Sequence, residues 1–195
     1  MSAKSPRKFL ISKKVDAFFS DITSASIFTL RFFKEVFRPP YEFREVIKQC
    51  YQVGYRSLFL IALTGFITGI VFTKQSRPSL SEFGAQSWLP SLVAIAIIRA
   101  LAPLVTALIC SGKVGSNMGA ELGSMKVTEQ IDAMEVSSIN PYKFLVVTRV
   151  LATTIMIPVL MCFTGFVAMM GAYLNVHANE QTSMTTFFIA AFDKI

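Results

Sequence analysis

The stretch "SLFLIALTGFITGIVFT", residues 57–73, contains seventeen uncharged residues between Arg56 and Lys74. As an α-helix it would be about 25 Å long, which is close to the shortest length that crosses the hydrocarbon core of a bilayer. The two flanking cations can run their apolar stems along the helix and place their charges at opposite interfaces. The stretch therefore predicts a transmembrane helix.

Two further stretches have the same character. Residues 89–109 are apolar apart from Arg99, and residues 150–173 contain no Asp, Glu, Lys or Arg. Of the 195 residues, 53% are hydrophobic and 16% are charged, whereas about a quarter of a soluble domain is charged. A soluble fold would need a very large core for this length. We therefore predict an all-α polytopic membrane protein with about three transmembrane helices, the first two joined by a polar connection at residues 75–88.

The segment before the first span is basic, with eleven Lys or Arg and five Asp or Glu in residues 1–56. Apolar residues recur in it at helical spacing, and Pro39-Pro40 separates two amphipathic runs. We interpret residues 1–55 as helices that lie in the headgroup plane, before a transmembrane domain at residues 56–195. The cations place the N-terminus in the cytoplasm. A soluble helical hairpin is the alternative, and a nucleic-acid interface is disfavoured because no base-reading motif accompanies the cations.

Residues 113–141, which connect the second and third spans, are polar and rich in glycine. Glycines spaced four residues apart give a helix a thin face on which another backbone can approach closely. This spacing occurs in the first span and in the connection, and the candidate packing residues are Gly65, Gly69, Gly115, Gly119 and Gly123. A flexible glycine-rich loop is the alternative for the connection.

The second half of the connection, "VTEQIDAMEV" at residues 127–136, predicts a short amphipathic helix. Thr128 can cap its N-terminus, and the acids in its first turns suit the positive end of the helix dipole. Val127, Ile131 and Met134 align on one side. Because the exposed chemistry is acidic and apolar, we expect this helix to bind a protein rather than an anionic membrane. The residues expected to make the contact are Glu129, Gln130, Ile131, Asp132 and Met134.

The sequence contains no HExxH, CxxC or nucleotide-binding loop. We therefore predict that the chain is not an enzyme and holds no metal or cofactor, so that any ATP would be used by a separate partner. Arg99 is the one strongly ionisable residue in the middle of a predicted span, where a charge costs at least a few kcal/mol. It is a candidate substrate contact or a member of a structural ion pair, for which Glu121 is the partner considered.

The segments "RALAPLVTALICSGKVGSNMGAELGSMKVTEQIDAMEV", residues 99–136, and "NPYKFLVVTRVLAT", residues 140–153, resemble the MlaE (YrbE) permeases. These are the membrane subunits of ABC transporters that move lipids at the bacterial inner membrane. The resemblance implies a permease homodimer, two cytoplasmic ATPase subunits that use ATP, and an MCE-type lipid-binding partner on the far side. It also implies that residues 129–136 are the coupling helix on the ATPase, and that lipid occupies a cavity at the dimer interface.

Two features differ from the family pattern. The family usually has an acid after the arginine, in an Arg-Glu-Leu-Gly-Pro run, whereas this chain reads Arg99-Ala100-Leu101-Ala102-Pro103. The family also continues for two further spans, so the resemblance implies a chain that lacks its C-terminal spans. The main functional hypothesis is a permease for phospholipid or a related lipid. The alternatives are a membrane scaffold that recruits a soluble protein and an ion-coupled carrier centred on Arg99.

Overall fold

The computed structural model describes residues 7–39, 42–180 and 183–192. Every regular element in these ranges is helical, which confirms the all-α prediction. The α-helices are α1 (Arg7–Val36), α2 (Phe43–Val53), α3 (Tyr55–Glu82), α4 (Leu89–Ala96), α5 (Ala102–Ile109), α6 (Gly115–Val127), α7 (Gln130–Val136), α8 (Thr148–Glu180) and α9 (Met184–Phe192). A 3₁₀ turn at Gln86–Trp88 precedes α4, and π-helical turns lie at Ile97–Leu101, Cys110–Val114 and Lys143–Val147.

Three helical runs among the described residues are long and apolar enough to cross a membrane, as predicted. They are Phe43–Glu82, Gln86–Val127 and Lys143–Ala178. With 36 to 42 residues each, the runs are roughly 54–63 Å long at 1.5 Å per residue, about twice the thickness of the hydrocarbon core. Each run therefore contains more helix than one straight crossing requires, and α6 forms the C-terminal end of the second run.

The helices continue further than predicted at two places. The polar connection predicted for residues 75–88 is helical in its first half: α3 continues through Pro78 to Glu82, although a proline removes a backbone hydrogen bond from a helix. The chain turns at Gly84, whose φ of 66° is readily adopted by glycine. Likewise, α8 continues past residue 173, so that His177 is helical and stacks on the ring of Tyr173 at 5.5 Å.

Helices α3 and α8 lie side by side, and glycines bring their backbones together. A methyl group placed at Gly69 would lie 2.0 Å from a carbonyl oxygen of α8, and one at Gly171 would lie 2.5 Å from a carbonyl oxygen of α3. A methyl group at Gly65 would lie 3.1 Å from the Thr164 side chain. Gly65 and Gly69 thus face α8. Gly171 of α8 allows the same close approach from the other helix. It has no second glycine four residues away in the sequence, so the glycine spacing did not predict it as a packing residue.

Polar side chains are buried between the spans while large apolar side chains cover the outside. The hydroxyls of Thr106 in α5 and Thr164 in α8 are buried and 2.8 Å apart. Gln49 in α2 is buried as well, and its amide donates to Glu45 at 3.0 Å. In contrast, Phe59 is 79% exposed. This pattern is expected for helices surrounded by lipid, where apolar side chains lose nothing by facing outward and polar groups need partners inside the protein.

Helix α1 is attached to the start of the third run through Tyr142. The Tyr142 hydroxyl donates to the Phe28 carbonyl at 2.7 Å, and the Arg31 guanidinium lies 4.7 Å above the Tyr142 ring. Phe19 and Phe33 of α1 are exposed, as the interpretation of an interfacial helix requires. The boundary between a segment at residues 1–55 and one at 56–195 stays a prediction.

Candidate functional site

The connection between the second and third spans is helical over most of its length. α6 continues the second run without a break, and α7 follows after two residues. We call residues 115–136 the arm. The flexible-loop alternative does not hold for it. Neither α6 nor α7 contains a fully buried residue, so most side chains of the arm are open to solvent or to a binding partner.

The turn between α6 and α7 differs from the prediction. Thr128 does not cap α7: its hydroxyl donates back to the Ser124 carbonyl at 2.8 Å and closes the end of α6. The residue before α7 is Glu129, which has a left-handed φ of 56°. Threonine makes such a bond to the preceding turn of a helix as readily as it caps a following one. Lys126 closes the turn with an ion pair to Asp132 at 2.9 Å.

The tip of the arm combines acidic and apolar exposed side chains. The polar residues predicted to contact a partner are all exposed: Glu129, Gln130 and Asp132. Ile131 and Met134 are partly buried. The most exposed apolar residues of the arm are Val127 and Val136, at 84% and 88%. Val136 was not among the predicted contact residues. The prediction rested on the helical spacing of Ile131 and Met134, which lie on the more buried side of α7.

At the base of the arm, Glu121 forms an ion pair with Arg149 of α8, with 2.8 Å between Oε2 and Nη2. Arg149 is 4% exposed, and its Nε and Nη1 have no hydrogen-bond partner among the residues that the structure describes. A cavity of about 270 Å³ adjoins the base and is lined in part by Arg56, Asn117 and Glu121. In the sequence Glu121 was a candidate partner for Arg99, without a predicted direct contact, and in the structure it pairs with Arg149 instead. The sequence separation of Glu121 and Arg149 did not predict their ion pair, because the pairing depends on how α6 and α8 meet.

Arg99 lies in the π-helical turn Ile97–Leu101 and its side chain is exposed. Within the described ranges it forms no ion pair. π-Helical turns occur frequently at functional sites. An exposed guanidinium within an apolar run of this length requires protein, water or a lipid headgroup around it.

The glycines of the arm have open space beside them. A methyl group placed at Gly115, Gly119 or Gly123 would have no atom within 4 Å. They therefore do not pack against the described part of the chain, unlike Gly65 and Gly69. Their predicted role in helix packing stays a prediction.

Comparison with known proteins supplies the family. The model of the permease MlaE matches residues 46–195. A "Probable ABC transporter permease protein" of Rickettsia bellii is 35% identical over 182 residues, which cover 91% of this chain and 70% of the relative. The protein of the same name from Rickettsia felis is 34% identical over 164 residues, covering 84% and 63%.

A third relative has a more specific name. The "Intermembrane phospholipid transport system permease protein MlaE" of Haemophilus influenzae is 38% identical over 115 residues, covering 59% of this chain and 44% of the relative. The chain thus spans between 44% and 70% of the length of these three relatives. Three apolar helical runs, an exposed arm between the second and third, and a family match over most of the sequence agree: the chain belongs to the MlaE family of ABC transporter permeases, which are membrane transporters and not catalytic enzymes.

Proposed function

We propose that this chain is the permease subunit of an ABC transporter that moves phospholipid, or a related lipid, at the bacterial inner membrane. The observation that carries the proposal is the arm, which projects from the second run with no buried residue and ends in the acidic and apolar tip at α7. A permease without a nucleotide-binding loop needs a separate ATPase, and a projecting helix of this kind suits a groove on such a partner.

In this proposal α7 is the coupling helix. Glu129, Gln130 and Asp132 contact polar groups of the ATPase, while Val127 and Val136 bury apolar surface in its groove. Ile131 and Met134 lie partly buried and hold α7 in its orientation as well as contributing contact area. The ATPase binds and hydrolyses ATP, and this chain contributes no residue to that reaction.

The orientation follows from the same assignment. An ATPase acts in the cytoplasm, so the arm and the basic N-terminal segment lie on the cytoplasmic side and the turn at Gly84 lies on the far side. An MCE-type lipid-binding partner would dock on that far side. The name of the Haemophilus influenzae relative supports phospholipid as the substrate.

We further propose that the working unit is a homodimer with lipid between the two copies. Within the described residues, the exposed side chain of Arg99 forms no ion pair, and the glycines at 115, 119 and 123 have open space beside them. A second copy and a lipid headgroup would supply neighbours for these residues. Since Ala100 stands where an acid is usual in the family, the Arg99 guanidinium is not neutralised by the next side chain and is available to an anionic headgroup.

The direct test of the function is reconstitution of the complex in phospholipid vesicles. We expect ATP hydrolysis to be stimulated by lipid, and a fluorescent phospholipid to move only when ATP is present. A scaffold that recruits a soluble protein would bind the ATPase but show neither effect.

Replacement of Arg99 by alanine tests the substrate contact. We expect roughly 10- to 150-fold less lipid moved per unit time, because loss of one charge-assisted contact to a headgroup costs about 1.5–3 kcal/mol, with unchanged co-purification of the ATPase. Lys74→Ala, which removes an exposed cation from the end of α3, serves as the matched control. Lipid movement at the wild-type rate in the Arg99 variant would remove this residue from the mechanism.

A further inference from the structure

The arm meets the body of the protein along one side of α6. Val114, Met118 and Glu121 recur at intervals of four and three residues and therefore lie on the same side of the helix. Val114 is buried, and Met118 packs against the cluster that contains Val53 and Leu160. Glu121 is one turn further towards the tip, where it reaches Arg149 of α8. Beyond this ion pair the arm projects without a buried residue.

Arg149 depends on the arm for its partner. It is the second residue of α8 and is 4% exposed. Its Nη2 lies 2.8 Å from Glu121, whereas Nε and Nη1 lack partners within the described residues. Glu121 is partly exposed, whereas Arg149 is buried, so withdrawal of Glu121 would leave the Arg149 charge without its partner in a medium of low dielectric constant, which is unfavourable. The start of α8 is therefore held to α6 by electrostatics rather than by extensive packing.

The two helices joined by this pair both begin directly after a π-helical turn. Cys110–Val114 precedes α6 and Lys143–Val147 precedes α8. π-Helical turns interrupt the regular hydrogen-bond ladder, and domain motions are commonly absorbed at a few residues where an element ends. Each of the two helices thus starts at an irregular turn. The ion pair joins the helices after these turns, at residue 121 in α6 and residue 149 in α8.

We propose that the Glu121–Arg149 ion pair is the link through which displacement of α7 by the ATPase is transmitted to the third span. This inference rests on the proposed function and assigns Arg149 and Glu121 as positioning residues: neither has to touch lipid or ATP. When the ATPase moves the tip, α6 pivots at Cys110–Val114, and the buried charge of Arg149 requires α8 to follow. Loss of the pair separates ATP hydrolysis from lipid movement without detaching the ATPase.

The test uses the assembled complex with its ATPase, reconstituted in vesicles of phosphatidylethanolamine and phosphatidylglycerol, with a fluorescent phospholipid as probe. We expect Glu121→Gln to keep the co-purified ATPase and its rate of ATP hydrolysis, and to lower the lipid moved per ATP about tenfold, within the usual range of a coupling free energy. Arg149→Gln should act in the same way. Lys48→Gln, which removes the ion pair of an exposed lysine to the partly buried Glu45 at 3.5 Å, should leave the ratio of lipid to ATP unchanged.

The charge-exchanged variant with both Glu121→Arg and Arg149→Glu separates coupling from simple loss of folding. We expect it to recover assembly and a higher ratio of lipid to ATP than either single variant. An unchanged ratio in Glu121→Gln, or an exchanged variant that is no better than the single ones, would overturn the inference while leaving the proposed function intact. Absence of lipid movement in the wild-type complex would instead overturn the proposed function and this inference with it.

Discussion

A chain that carries Val127→Asp and Val136→Asp should lose its ATPase partner on purification while still inserting into the membrane. These two side chains are 84% and 88% exposed, so their replacement removes almost no contact within the chain. In the complex, however, both would place an unpaired carboxylate in an apolar contact. Residues at the centre of an interface cost 2 kcal/mol or more when they are lost, which is roughly a 30-fold weakening, and buried unpaired charges cost more.

The matched control for this prediction is Phe83→Asp. Phe83 is 84% exposed as well, but it lies at the turn after α3, between the first and second runs, whereas the two valines lie between α6 and α8 or at their ends. Its replacement also adds an exposed carboxylate, one where the double variant adds two, and should leave ATPase co-purification at the wild-type level. These valines are better sites for the test than Ile131 and Met134, because the latter are partly buried and their replacement would also disturb the orientation of α7. Normal recovery of the ATPase with the double variant would exclude the tip as the binding surface.

Gly69→Ala should destabilise the packing of the first span on the third. The added methyl group would lie 2.0 Å from a backbone carbonyl oxygen of α8, and a backbone atom within a helix cannot rotate away as a side chain can. Overpacking of this kind costs about 1–3 kcal/mol. For a protein of this size that corresponds to a decrease of roughly 2–12 °C in the midpoint of thermal unfolding, measured on the purified protein in detergent.

Gly112→Ala is the control for that prediction, since a methyl group there would meet no atom within 4 Å. Alanine favours a helix over glycine by up to about 1 kcal/mol, so this variant should be as stable as the wild type or slightly more stable. Gly171→Ala should behave like Gly69→Ala, because its methyl group would lie 2.5 Å from a carbonyl oxygen of α3. Equal stability of all three variants would contradict the close approach of α3 and α8.

Most of the fold could be predicted because the bilayer imposes a simple pattern on the sequence. Long uncharged segments must be helices, and residues 57–73, 89–109 and 150–173 all fall within helical runs able to span a membrane. The ends of the helices were less predictable. Pro78 and the polar residues after residue 173 suggested loops, but outside the hydrocarbon a helix can continue with polar side chains and water can satisfy its backbone.

The candidate site shows a similar division. The order of small, acidic and apolar residues from Gly115 to Val136 was enough to predict an exposed helix at residues 130–136, and its binding to a protein stays a prediction. The sequence could not show that Thr128 would bond backwards to Ser124, since threonine serves both ends of helices equally well. Nor could it show the Glu121–Arg149 pair, which depends on the angle at which α6 leaves the second run. The exposure and polarity of a single helix could thus be predicted from the sequence. Ion pairs between helices could be identified only in the three-dimensional structure.

The account depends most on the arm being on the side of the membrane where the ATPase acts. The most direct measurement labels a cysteine at the tip, introduced as Val136→Cys in a chain whose Cys50, Cys110 and Cys162 are replaced by alanine, with a maleimide that cannot cross membranes. We predict no labelling in cells with an intact inner membrane, labelling after permeabilisation, and protection when the ATPase is bound. Labelling of Val136→Cys in cells with an intact inner membrane would contradict the account, because it would place α7 beyond the reach of any cytoplasmic ATPase.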